Sequence, residues 1–150
     1  MMTNVLFLDI DGVLNSENFF KRLVPDFRGV IPIYSRHQVD DLAIKLVNSL
    51  NDIPDLKIVV SSNWRRDSNC RSLLQTQGFI LKFHDRWRTE ELGNRTSEIN
   101  HWVNQEKIDR SRIVVLDDSY VLSYEDRQVQ TDFETGLLEQ HITKIRTLFT

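Results

Sequence analysis

One cysteine, Cys70, stands alone in 150 residues. No disulfide can therefore close within the chain, and no disulfide-linked partner is expected. Such sparing use of cysteine fits a reducing, cytoplasmic setting. Long apolar runs are missing as well. The opening "MMTNVLFLDIDG" holds an apolar stretch far too short for a secretory signal, and charge follows it at once. No window approaches the roughly 20 residues of a transmembrane helix, so no membrane partner is expected. Neither sign of charge dominates: the net charge of −3 compels no nucleic-acid or membrane surface at the level of the whole chain. Repeats, low-complexity tracts and linker-like stretches are absent too. What remains, 40% apolar and 27% charged residues, is the mixture of a folded globular chain. Its length suits one domain over residues 1–150.

Short apolar runs alternate with amphipathic segments. The runs at residues 5–9, 57–61, 79–83, 112–117 and 127–131 have the length and β-branched content of strands. Unbroken apolarity in the first, second and fourth suits central parallel strands covered on both faces. Between them, Val39, Leu42, Ala43, Leu46, Val47 and Leu50 recur at the spacing of one helix face. A second helix is expected from a cap at Asp67 or Ser68 to Gly78. A third carries Ile99, Trp102 and Val103, capped by Asn94 or Thr96, and a last one carries Leu138, Ile142, Ile145 and Phe149. Residues 16–35 read as a flap or loop insert, with the proline and glycine irregularity falling between Phe19 and Ser35. The alternation predicts an α/β, Rossmann-like three-layer sandwich around a mainly parallel five-stranded sheet, with a minimal cap or none.

Three of the apolar strands finish on polar residues: "VLFLD" on Asp9, "KIVVS" on Ser61, and "IVVLD" on Asp117, with Asp118 next. Ligands of open α/β sheets bind beyond the carboxyl ends of the strands, so Asp9, Asp11, Ser61, Asp117 and Asp118 should converge at one sheet edge. Carboxylates gathered in so small a volume persist ionised only beside a cation. An all-oxygen set favours Mg²⁺, commonly shared between carboxylates and a substrate phosphate. A strand-end hydroxyl and free backbone N–H groups supply donors to phosphoryl oxygens. A calcium loop would also begin with "DxDG". It would then need oxygen ligands and a glycine where this chain has Val13, Leu14 and Phe20, so that reading fails.

The ordered motifs "DIDGVLN", "VVSSNW", a later basic residue and "VVLDDS" resemble the four motifs of the haloacid dehalogenase (HAD) superfamily of phosphohydrolases. The wider pattern, with "RTSEI", Trp102, "TD" and "GL", is most similar to compact HAD domains of RNA-repair and polynucleotide-end-processing proteins. The resemblance implies Asp9 as nucleophile, forming an aspartyl-phosphate, and Asp11 as general acid and then base. Ser61 would bind the transferring phosphoryl group. Asp9, the backbone carbonyl of Asp11, and the Asp117–Asp118 pair, with either of the two as its direct ligand, would hold Mg²⁺. The basic residue of the third motif would be Arg95, with Lys82 and Arg88 as alternatives. Gly12 would let the chain turn away from the strand. Gly12, Ser62, Asn63 and Arg65 are the substrate-binding candidates.

Each of these residues also has a plainer reading. Asp118 can cap the segment after it, and Arg65 can be a solvated surface charge. Trp64 and Trp87 can stack on a base, although packing is the commoner role for tryptophan. Trp102 reads as core, the four histidines show no metal spacing, and Cys70 has no activating neighbour. Little chain separates the motifs, so a substantial cap is excluded, and an open site favours a large phosphorylated substrate such as an RNA or DNA end. Arg65, Arg66, Arg71, Arg86 and Arg88 cluster between the second and third motifs and could contact phosphates. The expected activity is a Mg²⁺-dependent phosphomonoesterase on polynucleotide ends, a 3′-phosphate ahead of a 5′ one. A phosphatase of nucleotides or small phosphoesters is the alternative within the class. A catalytically silent module binding nucleic acid or protein is the alternative outside it, disfavoured because every acidic motif is intact. A phospho-acceptor domain would want a lysine where the chain has Thr131 and Asp132.

Overall fold

The computed structural model describes residues 2–31 and 37–150. Five parallel strands form one sheet in the order β3-β2-β1-β4-β5. β1 (Asn4–Leu8), β2 (Leu56–Val60) and β4 (Ile113–Asp117) occupy its centre. β1 is buried along its whole length, because helices cover both faces of the sheet. On one face Leu6, Leu8, Ile58 and Val60 meet Ala43, Ile44 and Val47 of α2 (Asp41–Asn48) and Ile142 and Ile145 of α5 (Glu139–Phe149). On the other, Phe7 and Val115 meet Ile99 and Trp102 of α4 (Arg95–Glu106). The Trp102 ring stands edge-on to Phe7, with centroids 5.2 Å apart. Its indole N–H is satisfied by the Arg86 carbonyl at 2.9 Å, so the largest core side chain leaves no buried donor unpaired.

α4 starts where the sequence places it. The Asn94 side chain accepts from Ser97 N at 2.8 Å and caps the helix whose first residue is Arg95. Asn94→Ala removes that cap, and thermal unfolding should show a loss of about 1 kcal/mol. α3 (Cys70–Thr76) is closed by Gly78 at φ +101. β5 (Gln128–Gln130) lies within its expected run.

Three expectations need correction. The third strand is not residues 79–83: β3 runs over Phe83–Arg88. Phe79 and Leu81 are buried from the connection that precedes it, whereas β3 is an edge strand that buries only Trp87 deeply. An edge strand can be largely polar, so apolarity pointed to its flank instead. The insert at 16–35 is not a loop throughout. Glu17–Leu23 forms α1, capped by Ser16 accepting from Phe19 N at 3.0 Å and anchored by buried Phe20. The end of that insert, including Ser35, lies outside the described residues. Leu42, expected on the buried face of α2, is 64% exposed, and the buried stripe is Ala43, Ile44 and Val47.

Only α1, α2 and the short helical turn Ser49–Asp52 are seen between β1 and β2, so no cap unit stands over the strand ends among the described residues. None of their helices is long and apolar enough to cross a membrane.

Candidate active site

Strand register makes lateral neighbours of the polar strand ends. Leu8 pairs with Val60 on one side and with Leu116 on the other. The next residues continue the ladder, Ser61 N bonding Leu8 O and Asp9 N bonding Leu116 O, both at 2.9 Å. Ser61, Asp9 and Asp117 therefore sit abreast on three adjacent strands, roughly 5 Å apart. Carboxylate oxygens of Asp9, Asp117 and Asp118 all lie within 4.8 Å of one another.

Arg95 reaches this cluster from the first turn of α4. Its Nε lies 3.0 Å from Asp117 Oδ2, and its Nη2 lies 3.7 Å from Asp9 Oδ1. The nearer contact is electrostatic rather than a hydrogen bond, for the buried Asp117 Oδ2 accepts no directed N–H. Burial, reinforced by Asp117, holds the Asp9 carboxyl well above the usual aspartate range, and Arg95 offsets part of that shift. Burial raises Asp117 also, against the pull of Arg95 and of the Ser119 N–H. One guanidinium facing three carboxylates leaves the cluster short of positive charge. A hard divalent cation fits that deficit, the all-oxygen donor set and the unpartnered Asp117 oxygen together.

Asp11 stands apart from the clustered carboxylates. Its Oδ1 accepts from Asn15 Nδ2 at 2.9 Å and from Trp64 Nε1 at 3.2 Å. Gly12 follows at φ +82. A Cβ there would meet Asp118 Oδ2 at 2.1 Å, so only glycine leaves room for that carboxylate. Thr131 Oγ1 donates to Gly12 O at 2.7 Å and ties the turn to the end of β5.

The family model describing the HAD domain in Swiss Army Knife RNA repair proteins matches residues 5–142. The chain belongs to that family. No curated protein and no solved structure matches it.

In this HAD domain the three basic candidates for the third motif lie in different places. Lys82 precedes β3 at the opposite end of the sheet, where its carbonyl accepts from Ile58 N at 2.8 Å. Arg88 spends Nη1 on the Arg65 carbonyl at 3.0 Å and lies over the Trp87 ring. Arg95 alone of the three reaches Asp9 and Asp117. Two substrate-binding candidates are corrected. Gly12 N is taken by Asn15 Oδ1 at 3.0 Å and cannot serve a ligand. The Arg65 side chain is only 4% exposed and pairs with Glu98 at 3.0 Å, because the helical turn after β2 folds it inward. Ser62 is buried, with Oγ accepting from Trp64 N. Asn63 is exposed. Ser61 Oγ is fully buried and has no partner among the described residues.

Sequence reasoning missed Asn15 and Glu98, and it read Trp64 as packing or stacking only. Both omissions had a faint signal: Asn15 stands four residues after Asp11, and Glu98 stands beside Ile99 on the helix that begins with Arg95. Trp64 is buried and its indole N–H serves Asp11, so base stacking is not its role. Cys70 is buried, its thiol pushed up to about 12 by burial, and at neutral pH it is no nucleophile.

A cavity of about 870 Å³ opens between α1, α2 and α5 and includes none of the clustered carboxylates. A groove of about 510 Å³ does adjoin Arg95, Asn63 and Ser119. Through Arg66 and Glu91 it continues into one of about 560 Å³ along β3.

Proposed function

We propose that the domain is a Mg²⁺-dependent phosphomonoesterase that works through an aspartyl-phosphate on Asp9 and acts on polynucleotide ends, 3′-phosphates first. The observation that carries this reading is the unpartnered, fully buried Ser61 hydroxyl abreast of Asp9. A donor without an acceptor, next to a carboxylate that needs an electrophile, calls for a phosphoryl oxygen.

Asp9, Asp117, Asp118 and the Asp11 carbonyl would hold Mg²⁺. When bound, the ion offsets the charge of the clustered carboxylates and of the substrate phosphate. The Asp9 oxygen attacks phosphorus and the bond to the leaving oxygen breaks. Asp11 delivers its proton to that oxygen. Both partners of Asp11 Oδ1 are N–H donors, so this oxygen can only accept, and the transferable proton belongs on Oδ2. In the second half Asp11 takes a proton from water, the water oxygen attacks phosphorus, and the bond to Asp9 breaks to release phosphate. Arg95 offsets the charge on the equatorial phosphoryl oxygens.

Support for a polynucleotide comes from the open strand ends and from the groove that leads along β3. Arg71 and Arg88 each place a guanidinium 4.8 Å from the Trp87 ring centroid. Neither has a carboxylate partner among the described residues, and both can meet phosphates. Arg66 and Arg86 are paired with Glu91 and Glu106 and add less.

The test is phosphate release from 3′- and 5′-phosphorylated oligonucleotides, mononucleotides, sugar phosphates and phosphopeptides, with Mg²⁺ and with EDTA. Turnover should need Mg²⁺ and be fastest on 3′-phosphorylated oligonucleotides. Preference for a mononucleotide would overturn the polynucleotide assignment. Mg²⁺ binding without turnover of any substrate would overturn the phosphatase.

A further inference from the structure

Arg65 and Glu98 form a buried ion pair beside the site, yet neither touches the clustered carboxylates of Asp9, Asp117 and Asp118. Taking both charges out of water is costly, and apolar residues of similar size often do as well for stability. The hydrogen bonds of the pair indicate what it does instead. Arg65 Nη1 donates to Ser61 O and to Ser62 O, each at 3.0 Å. Nη2 donates to Glu98 Oε2, also at 3.0 Å. That same oxygen accepts from Leu92 N at 3.0 Å, just ahead of α4, and Glu98 Oε1 lies 3.8 Å from Arg95 Nη1. One carboxylate thus orients both the arginine behind the β2 end and the arginine that reaches Asp9.

No peptide bond among the described residues is cis, so each of these peptide N–H groups points opposite to its C=O. Pinning the Ser61 and Ser62 carbonyls toward Arg65 turns the N–H groups of Ser62 and Asn63 to the other side. Neither N–H donates to any described residue. With Ser61 Oγ they make three free donors on consecutive residues at the end of β2.

We infer that Arg65, held by Glu98, is a positioning residue that presents the Ser62 and Asn63 amides to the substrate phosphate. The inference rests on the phosphatase reading for its substrate but not for its test, because inorganic phosphate is a sufficient probe. In the Mg²⁺-loaded protein, the amide resonances of Ser62 and Asn63 should shift on titration with inorganic phosphate. The double variant R65M/E98L replaces the ion pair by apolar groups. It leaves the Ser61 and Ser62 carbonyls and Leu92 N without their partners, so it should stay folded but melt below the wild type. Its phosphate affinity, read at the same two amides, should be about tenfold weaker. Its kcat/KM should fall about 10²-fold, because misaimed donors no longer meet the transition state. Arg65→Lys keeps the charge opposite Glu98 and the Leu92 hydrogen bond but cannot fork to two carbonyls, so it should lose phosphate affinity while losing less stability than R65M/E98L.

A purely structural pair would lose stability alone, with phosphate affinity unchanged in the molecules that stay folded. Wild-type phosphate affinity in either stably folded variant would overturn the inference, as would amides that ignore phosphate in the wild type. If those amides respond while no phosphomonoester is cleaved, the phosphatase falls and the positioning role stands.

Discussion

Asp9→Asn should lower phosphate release by roughly 10⁴-fold or more, the scale on which removal of a nucleophile is felt. The same substitution should raise the melting temperature in EDTA at neutral pH. The sign follows from burial. The Asp9 carboxyl is held above the usual aspartate range by desolvation and by Asp117. A group whose pKa is raised on folding contributes stability that is fully present below its unfolded value, near 4. That contribution is lost as pH rises through the folded value. Asparagine removes the penalty along with the nucleophile. Exposed carboxylates with lowered pKa values, such as Asp52 and Asp126, act in the opposite direction but are common to both proteins and cancel. The difference between variant and wild type should therefore grow with pH in EDTA and shrink or reverse in Mg²⁺. Turnover within tenfold of wild type would sink the aspartyl-phosphate, and a variant that melts lower in EDTA would sink the account of buried repulsion.

Gly12→Ala should cost Mg²⁺ affinity at least about tenfold, and kcat/KM about 10²-fold, through a residue with no functional group of its own. Two effects combine. Left-handed backbone at φ +82 costs a residue with a Cβ about 1–2 kcal/mol. The added Cβ would also lie 2.1 Å from Asp118 Oδ2 and 2.6 Å from its Cγ, so that carboxylate must leave the cluster. Gly29→Ala separates the two. Gly29 has φ +86 with nothing within 4 Å of the added atom, so it should lower stability and leave metal binding intact. Calorimetric titration with Mg²⁺ reads both variants. Equal Mg²⁺ affinity in Gly12→Ala and wild type would show that Asp118 is not held for the metal.

The contrast between β1 and β3 shows why some of this was legible in advance. β1 is covered on both faces, so its residues have to be apolar and its exit into Asp9 stands out. β3 lies at the sheet edge, and "FHDRWR" carries no such constraint. Register did the same for the site. Leu8, Val60 and Leu116 are paired neighbours, so the polar residues that follow them had to assemble together. The inward turn of Arg65 was invisible, because an arginine after a strand reads as a surface charge until its partner is known. That partner, Glu98, lies 33 residues away on a helix.

By itself, then, the sequence determined the alternation of strands and helices, the polar exits of three central strands, the HAD resemblance and the acidic set that invites a divalent cation. Those follow from burial period and chain order, which are local properties. Only the tertiary structure decided which basic residue faces Asp9 and which oxygen of Asp11 accepts from Asn15 and Trp64. It alone showed why residue 12 must be glycine, and that a buried arginine stands behind Ser61 and Ser62. Each of those depends on distances of a few ångströms between residues far apart in the chain, and a one-dimensional pattern carries no such distances.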